Sequence, residues 1–111
     1  MIELSEKAIF DAVYDCQSLQ HFKVGIAVDN LKTHQSVCNT ISSIVGCEDN
    51  IRIMRPPCEL RIRWKNGSEL EVFIPSSRVR GRAFHQVICD PGISEEDKSF
   101  LMIGEKLKHM K

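Results

Sequence analysis

The chain has 111 residues, of which 42% are apolar, and its 15 basic and 15 acidic side chains leave no net charge at neutral pH. That length predicts one domain spanning 1–111, able to bury a core without disulfide or metal staples, and the neutral balance excludes bulk attraction to a polyanion. No apolar run approaches the ~20 residues needed to span a bilayer, and the acids of MIELSEKAIF stand where an export signal carries lysines, so no membrane partner and a cytoplasmic location are expected.

Residues 5–20 read as a helix. Ser5 is placed to cap it, Glu6 and Asp11 lie toward the positive end of its dipole, and Ala8, Ile9, Ala12, Val13 and Cys16 form one apolar stripe. Lys23 to Val28 is a short run rich in β-branched residues, the pattern of a buried parallel strand, and Asp29-Asn30 ends it. A second helix is predicted from Leu31 to Val45, with Leu31, His34, Val37, Cys38, Ile41, Ile44 and Val45 on one face and Gly46 as its stop. Asn50 to Met54 is expected to form a short strand before Pro56-Pro57 blocks regular structure.

A β-hairpin is predicted over about 59–75. Leu60, Ile62 and Trp64 alternate with Arg61, Arg63 and Lys65; after Asn66-Gly67-Ser68, Leu70, Val72 and Ile74 alternate with Glu69, Glu71 and Phe73. Two registers compete. A two-residue Asn-Gly turn pairs Lys65 with Ser68 and sets Trp64 opposite Glu69. A longer connection pairs Trp64 with Leu70, Ile62 with Val72 and Leu60 with Ile74, and sets Arg63 opposite Glu71 and Lys65 opposite Glu69. The second keeps the apolar residues on one face and is favoured on that ground; the turn chemistry favours the first. Pro75-Ser76-Ser77 ends the hairpin, Arg78 to Arg82 is a loop, and Ala83 to Asp90 holds an apolar strand centred on Val87, Ile88 and Cys89. After the Pro91-Gly92 turn, Ser94 and Asp97 resemble a capping box for a last helix running toward His109, with Phe100, Leu101, Ile103, Gly104 and Leu107 on its apolar side.

Helices and strands in this order predict an α/β three-layer sandwich: a small mixed sheet that includes the hairpin, with helices on its faces. The five cysteines, Cys16, Cys38, Cys47, Cys58 and Cys89, contain no C-x-x-C pair and read as reduced, mostly buried thiols. His34 and Cys38 fit one helix face, whereas His85 and Cys89 lie in a strand where they do not converge on an ion. Charge is uneven along the chain: residues 1–50 hold three basic and seven acidic side chains, 51–82 eight and three, and 83–111 four and five. The positive charge therefore lies in the hairpin and the loop after it.

Asn66-Gly67-Ser68, then Arg80-Gly81-Arg82, then Val87-Ile88-Cys89-Asp90 resembles the ATPase core of bacteriophage large terminases, the DNA-packaging motors. In that family an N-G-S hairpin leads through an Arg-Gly loop to the Walker B strand. KVGIAVDN and the helix after it look like the strand and helix that follow the phosphate-binding helix, to which residues 5–20 would correspond. The resemblance thus implies a P-loop-like fold, a link to DNA packaging, and Asp90 as the metal-side carboxylate. Two departures are large. These residues contain no G-x-x-x-x-G-K-S/T phosphate cradle, and Pro91 stands where the family carries the glutamate that orients the attacking water. A non-catalytic module is therefore expected, with no cofactor required and Mg²⁺ or a nucleotide left as weaker options at Asp90 and Asp29.

Arg78, Arg80 and Arg82 are candidates for phosphate or nucleic-acid contact because guanidinium groups bind phosphate bidentately, and the competing reading is a solvated loop paired with acids. Arg61, Arg63 and Lys65 form the outer row of the hairpin, where Glu69 and Glu71 are expected to compensate them. Trp64 is expected in the core from its alternation with Leu60 and Ile62, and His85 facing solvent. Asp29 lies at a strand end, where open α/β sheets bind ligands. Two functions follow: a terminase-like module binding nucleic acid, nucleotide or a packaging partner through the arginine-rich loop, or a protein–protein adaptor or inhibitor, open to homodimerisation, with no nucleic-acid role.

Overall fold

The computed structural model describes residues 2–45, 51–54, 60–75 and 84–104. Ser5 takes an extended backbone and its Oγ accepts the Ala8 N–H at 3.1 Å, starting α1 (Glu6–Ser18). The Asn30 side chain accepts the Thr33 N–H at 2.9 Å, starting α2 (Leu31–Val45). Asparagine is among the preferred helix-capping residues, a role that its reading as a strand terminator overlooked. At α3 (Glu95–Gly104), Ser94 Oγ accepts the Asp97 N–H at 3.3 Å and meets Asp97 Oδ2 at 3.2 Å, the expected capping box.

Among the described residues, six strands form one sheet: β1 (Ile2–Glu3), β2 (Lys23–Ala27), β3 (Ile51–Met54), β4 (Leu60–Trp64), β5 (Glu69–Phe73) and β6 (Gln86–Cys89). Their order is β1-β6-β2-β5-β4-β3. β1, β6, β2 and β5 run parallel, and β4 and β3 extend the sheet antiparallel from β5. The sheet is mixed, as predicted. β1 escaped prediction because it is two exposed residues on an edge, too short to show periodicity.

The connections β1–α1–β2 and β2–α2–β3 both move toward the β3 edge, so right-handed crossovers place both helices on the same face. Ala8, Ile9, Ala12, Val13 and Cys16 of α1 and Val37, Ile41 and Val45 of α2 are buried there against Val24, Ile26, Leu60, Ile62, Trp64, Leu70, Val72 and Ile88. The second face has its own core: Ala27, Phe73, Phe84, Val87 and Cys89 meet Ile93 and Leu101 of the α3 region. Helix, sheet and helix make three layers of an α/β sandwich. No helix among the described residues is long and apolar enough to cross a membrane.

The hairpin has neither expected register. Leu60 pairs with Val72, Arg61 with Glu71, Ile62 with Leu70 and Arg63 with Glu69. Leu70 thus faces Ile62 rather than Trp64, and Lys65 leaves the ladder. The slip from the favoured register is an even one, so every side chain keeps its predicted face. The reason is the turn. Trp64 N–H donates to Ser68 O at 2.9 Å and Gly67 N–H to Trp64 O at 3.1 Å, closing a loop of Lys65, Asn66 and Gly67. Gly67 has φ +86°, the left-handed residue that ends a three-residue hairpin loop.

Candidate functional site

The first candidate lies at the carboxyl end of β2 and β6. Asp90 directly follows β6, an inner strand flanked by β1 and β2. Its N–H donates to Ala27 O at 2.9 Å, continuing the ladder by one residue. Its carboxylate accepts the Asp29 N–H at Oδ2 (3.2 Å) and the Gly92 N–H at Oδ1 (3.1 Å). Asp29 and Asp90, far apart in sequence, are therefore neighbours at the edge where parallel sheets place ligands. The Asp29 carboxylate in turn lies against Gly92: a Cβ there would come within 2.9 Å of Asp29 Oδ2.

This arrangement ties strand ends together more than it opens a metal site. Each Asp90 oxygen already accepts a backbone N–H, which positions the carboxylate as a latch between the β2 and β6 loops. Among the described residues no group of three His, Cys, Asp or Glu side chains converges. The Mg²⁺–nucleotide centre implied by the terminase resemblance would draw on Asp90 and Asp29, which this packing sets side by side.

The second candidate is the part of the opposite sheet face that the described residues leave open. Lys23, Val24, Arg61, Arg63, Glu69, Glu71 and Phe84 line an open groove of about 360 Å³. Arg61 Nε meets Glu71 Oε1 at 3.0 Å, and Arg63 holds Glu69 Oε1 through both Nη2 (2.7 Å) and Nε (2.8 Å). The predicted compensation of the arginine row is present, through the pairs Arg61–Glu71 and Arg63–Glu69 instead of Arg63–Glu71 and Lys65–Glu69. Lys65 is exposed in the turn. Arg78, Arg80 and Arg82 lie outside the described residues, as do Cys47 and Cys58.

Asn66-Gly67-Ser68 has a use that its hairpin reading missed. Asn66 Nδ2 donates to Cys16 O (2.8 Å) and Gln17 O (3.3 Å), capping the last turn of α1 from a distant turn. Ser68, fully buried, donates through Oγ to Leu19 O at 2.7 Å and accepts the Phe22 N–H at 3.1 Å. Gly67 lies so close to the His21 ring that a Cβ would overlap it. The three residues clasp the hairpin to the α1–β2 connection. The available signal was composition: Asn, Gly and Ser side chains and backbones serve caps and turns.

His85 departs from expectation. It precedes β6, is half-buried, and stacks on Phe22 with ring centroids 5.3 Å apart. Its Nδ1 accepts the Lys23 N–H at 3.1 Å while its backbone N–H donates to Lys23 O at 2.9 Å, so backbone and ring together complete the start of the ladder. Desolvation, and then the Lys23 charge, push its pKa below the usual histidine value. Trp64 is buried as predicted, and its indole Nε1 hydrogen meets no acceptor among the described residues. Cys16 and Cys89 are buried and Cys38 is half-buried. Burial, and then the charge of Asp15, push the Cys16 thiol up to about 12, which removes it as a nucleophile near neutrality. On α2, His34 Nδ1 lies 3.6 Å from Cys38 Sγ, the shared helix face predicted, while Nε2 is 3.3 Å from Val72 O.

Compared with protein-family models, with the curated proteins and with the solved structures, the chain has no match.

Proposed function

We propose that the chain is a non-catalytic binding module with a terminase-like α/β core, and that it engages nucleic acid through Arg78, Arg80 and Arg82. The observation that carries the non-catalytic part is the Asp90 carboxylate, each of whose oxygens accepts a backbone N–H of a neighbouring loop. A carboxylate fixed by strand-end hydrogen bonds and followed by Pro91 has no adjacent glutamate to orient an attacking water. The nucleic-acid part is supported by the sequence excess of eight basic over three acidic residues across 51–82. Arg61 and Arg63 are ion-paired with Glu71 and Glu69, which offsets their own share of that excess.

The deciding experiment is titration with duplex DNA at two salt concentrations, alongside phosphate release from ATP with Mg²⁺. Binding that weakens with salt by a slope of about 0.9 per phosphate contact, and that is lost in an Arg78, Arg80 and Arg82 triple alanine variant, is expected. Salt-independent or absent binding removes the nucleic-acid role. Steady Mg²⁺-dependent phosphate release removes the non-catalytic one.

A second reading, a protein–protein adaptor able to homodimerise, is favoured by one observation. Phe10 and Tyr14, one turn apart on α1, are 54% and 67% exposed. Light scattering distinguishes the two: a strict monomer with salt-dependent DNA binding supports the first, and a dimer indifferent to DNA supports the second.

A further inference from the structure

We propose that Asn66 is a conformationally gated deamidation site, and that the N-G-S clasp keeps the folded chain from converting while conversion dismantles the clasp. An asparagine followed by glycine is chemically prone to this reaction because no Cβ on the glycine hinders attack by its backbone nitrogen. Here Gly67 N would bond to Asn66 Cγ as the Gly67 N–H proton is lost. The Cγ–Nδ2 bond breaks and ammonia leaves with that proton. Water then opens the succinimide at either carbonyl, leaving aspartate or isoaspartate; water is the sole co-reactant.

In the folded chain every reacting group is held. The leaving nitrogen, Nδ2, is tied to Cys16 O at 2.8 Å and Gln17 O at 3.3 Å. Oδ1 accepts the Ser68 N–H at 2.9 Å. The attacking Gly67 N–H is engaged with Trp64 O at 3.1 Å. Ring closure requires the side chain to swing off α1 and the turn to loosen, so the reaction proceeds through a local opening. His21 N–H donates to Asn66 O at 3.2 Å and Phe22 N–H to Ser68 Oγ at 3.1 Å, so opening also frees the α1–β2 connection.

The product cannot re-form the clasp. Aspartate replaces a double donor with an acceptor that faces two carbonyl oxygens, and it places negative charge at the negative end of the α1 dipole. Isoaspartate in addition lengthens the backbone inside a loop of three residues whose last member needs φ +86°. Modification would therefore uncouple the hairpin from the helix layer irreversibly.

The test is incubation of the full chain at mildly alkaline pH, folded and in denaturant, with deamidation at Asn66 followed by peptide mass spectrometry. Folded protein is expected to convert more than about tenfold slower than denatured protein, in proportion to the rarity of the open state. Ser68→Ala, which loosens the clasp without touching the Asn-Gly pair, is expected to speed conversion in the folded state. Asn66→Asp is expected to show faster hydrogen exchange at His21 and Phe22. Should that variant not fold, the Ser68→Ala rate still decides. Equal rates in folded and denatured protein, or a Ser68→Ala rate identical to that of the parent chain, overturn the proposal.

Discussion

The two faces of the sheet draw on the same strands and carry different contents. On the face covered by α1 and α2, apolar side chains run from Leu60 and Ile62 through Leu70 and Val72 to Val24, Ile26 and Ile88 without interruption. On the other face the same strands present Arg61 and Arg63, Glu69 and Glu71, Lys23 and the bare backbone of Gly25, and turn apolar only toward Ala27, Phe73 and Cys89. The difference follows what lies above. Among the described residues, two long helices lie over the first face, whereas α3 with Ile93 and Leu101 covers the second at the carboxyl end of the strands. On β5, Glu69 and Glu71 are each held by an arginine of β4, since an unpaired half-buried charge is costly.

The strongest challenge to this comparison is Phe73→Ala. Phe73 is fully buried and stacked on Phe84 with centroids 5.8 Å apart. If the second face holds a true core at that end, urea unfolding should register a loss of about 3–5 kcal/mol. A loss under about 1 kcal/mol would reduce that core to a surface covering. Gly25→Ala probes the boundary between apolar and charged halves. Its Cβ would fall 2.9 Å from the Phe84 ring, which Phe73 holds in place, so a loss of about 1–3 kcal/mol is expected from overpacking. An unchanged melting curve would show that Phe84 moves freely.

The charged half makes smaller contributions. A double-mutant cycle on Arg63 and Glu69, with Arg63 half exposed, should give a coupling of about 0.2–1 kcal/mol that shrinks with added salt. The Arg61–Glu71 pair, whose side chains are 32% and 11% exposed, should couple more strongly. The reverse ranking would mean that geometry outweighs burial here.

The smallest effect concerns His85. Its folded pKa lies below the ordinary value of 6.5, so the folded state prefers the neutral ring. The unfolded chain therefore binds the proton more readily, and this stabilisation is present above 6.5 and lost as pH falls through that value toward the folded pKa. His85→Ala should flatten the stability profile in that window. A parent profile that rises toward acid there would contradict the assignment of Nδ1 as the acceptor of the Lys23 N–H.

Much of this organisation is legible in the residues. The apolar stripe and cap of α1 mark its ends to within two residues, and α2 spans the predicted Leu31–Val45. The alternation in β4 and β5 assigns the faces correctly and puts Trp64 in the core. The hairpin register was not legible because the alternation repeats every two residues and so admits any even slip. The observed slip is the one that closes a three-residue turn with Gly67 at φ +86° and lets Asn66 reach Cys16 and Gln17 on α1, a contact absent from the local sequence. The same holds for Asp29 and Asp90. Each marks a strand end in sequence, but only their adjacency across β2 and β6 shows that the Asp90 carboxylate accepts two backbone N–H groups.

Periodicity and capping residues by themselves determined where helices and strands form and which side of each is apolar, because those preferences act over one or two turns of chain. Tertiary structure alone decided the strand order and the work assigned to Asn66, Ser68, His85 and Asp90. Those outcomes depend on groups separated by roughly fifty or sixty residues in sequence, and such groups meet only after the chain has paid the entropy of closing long loops.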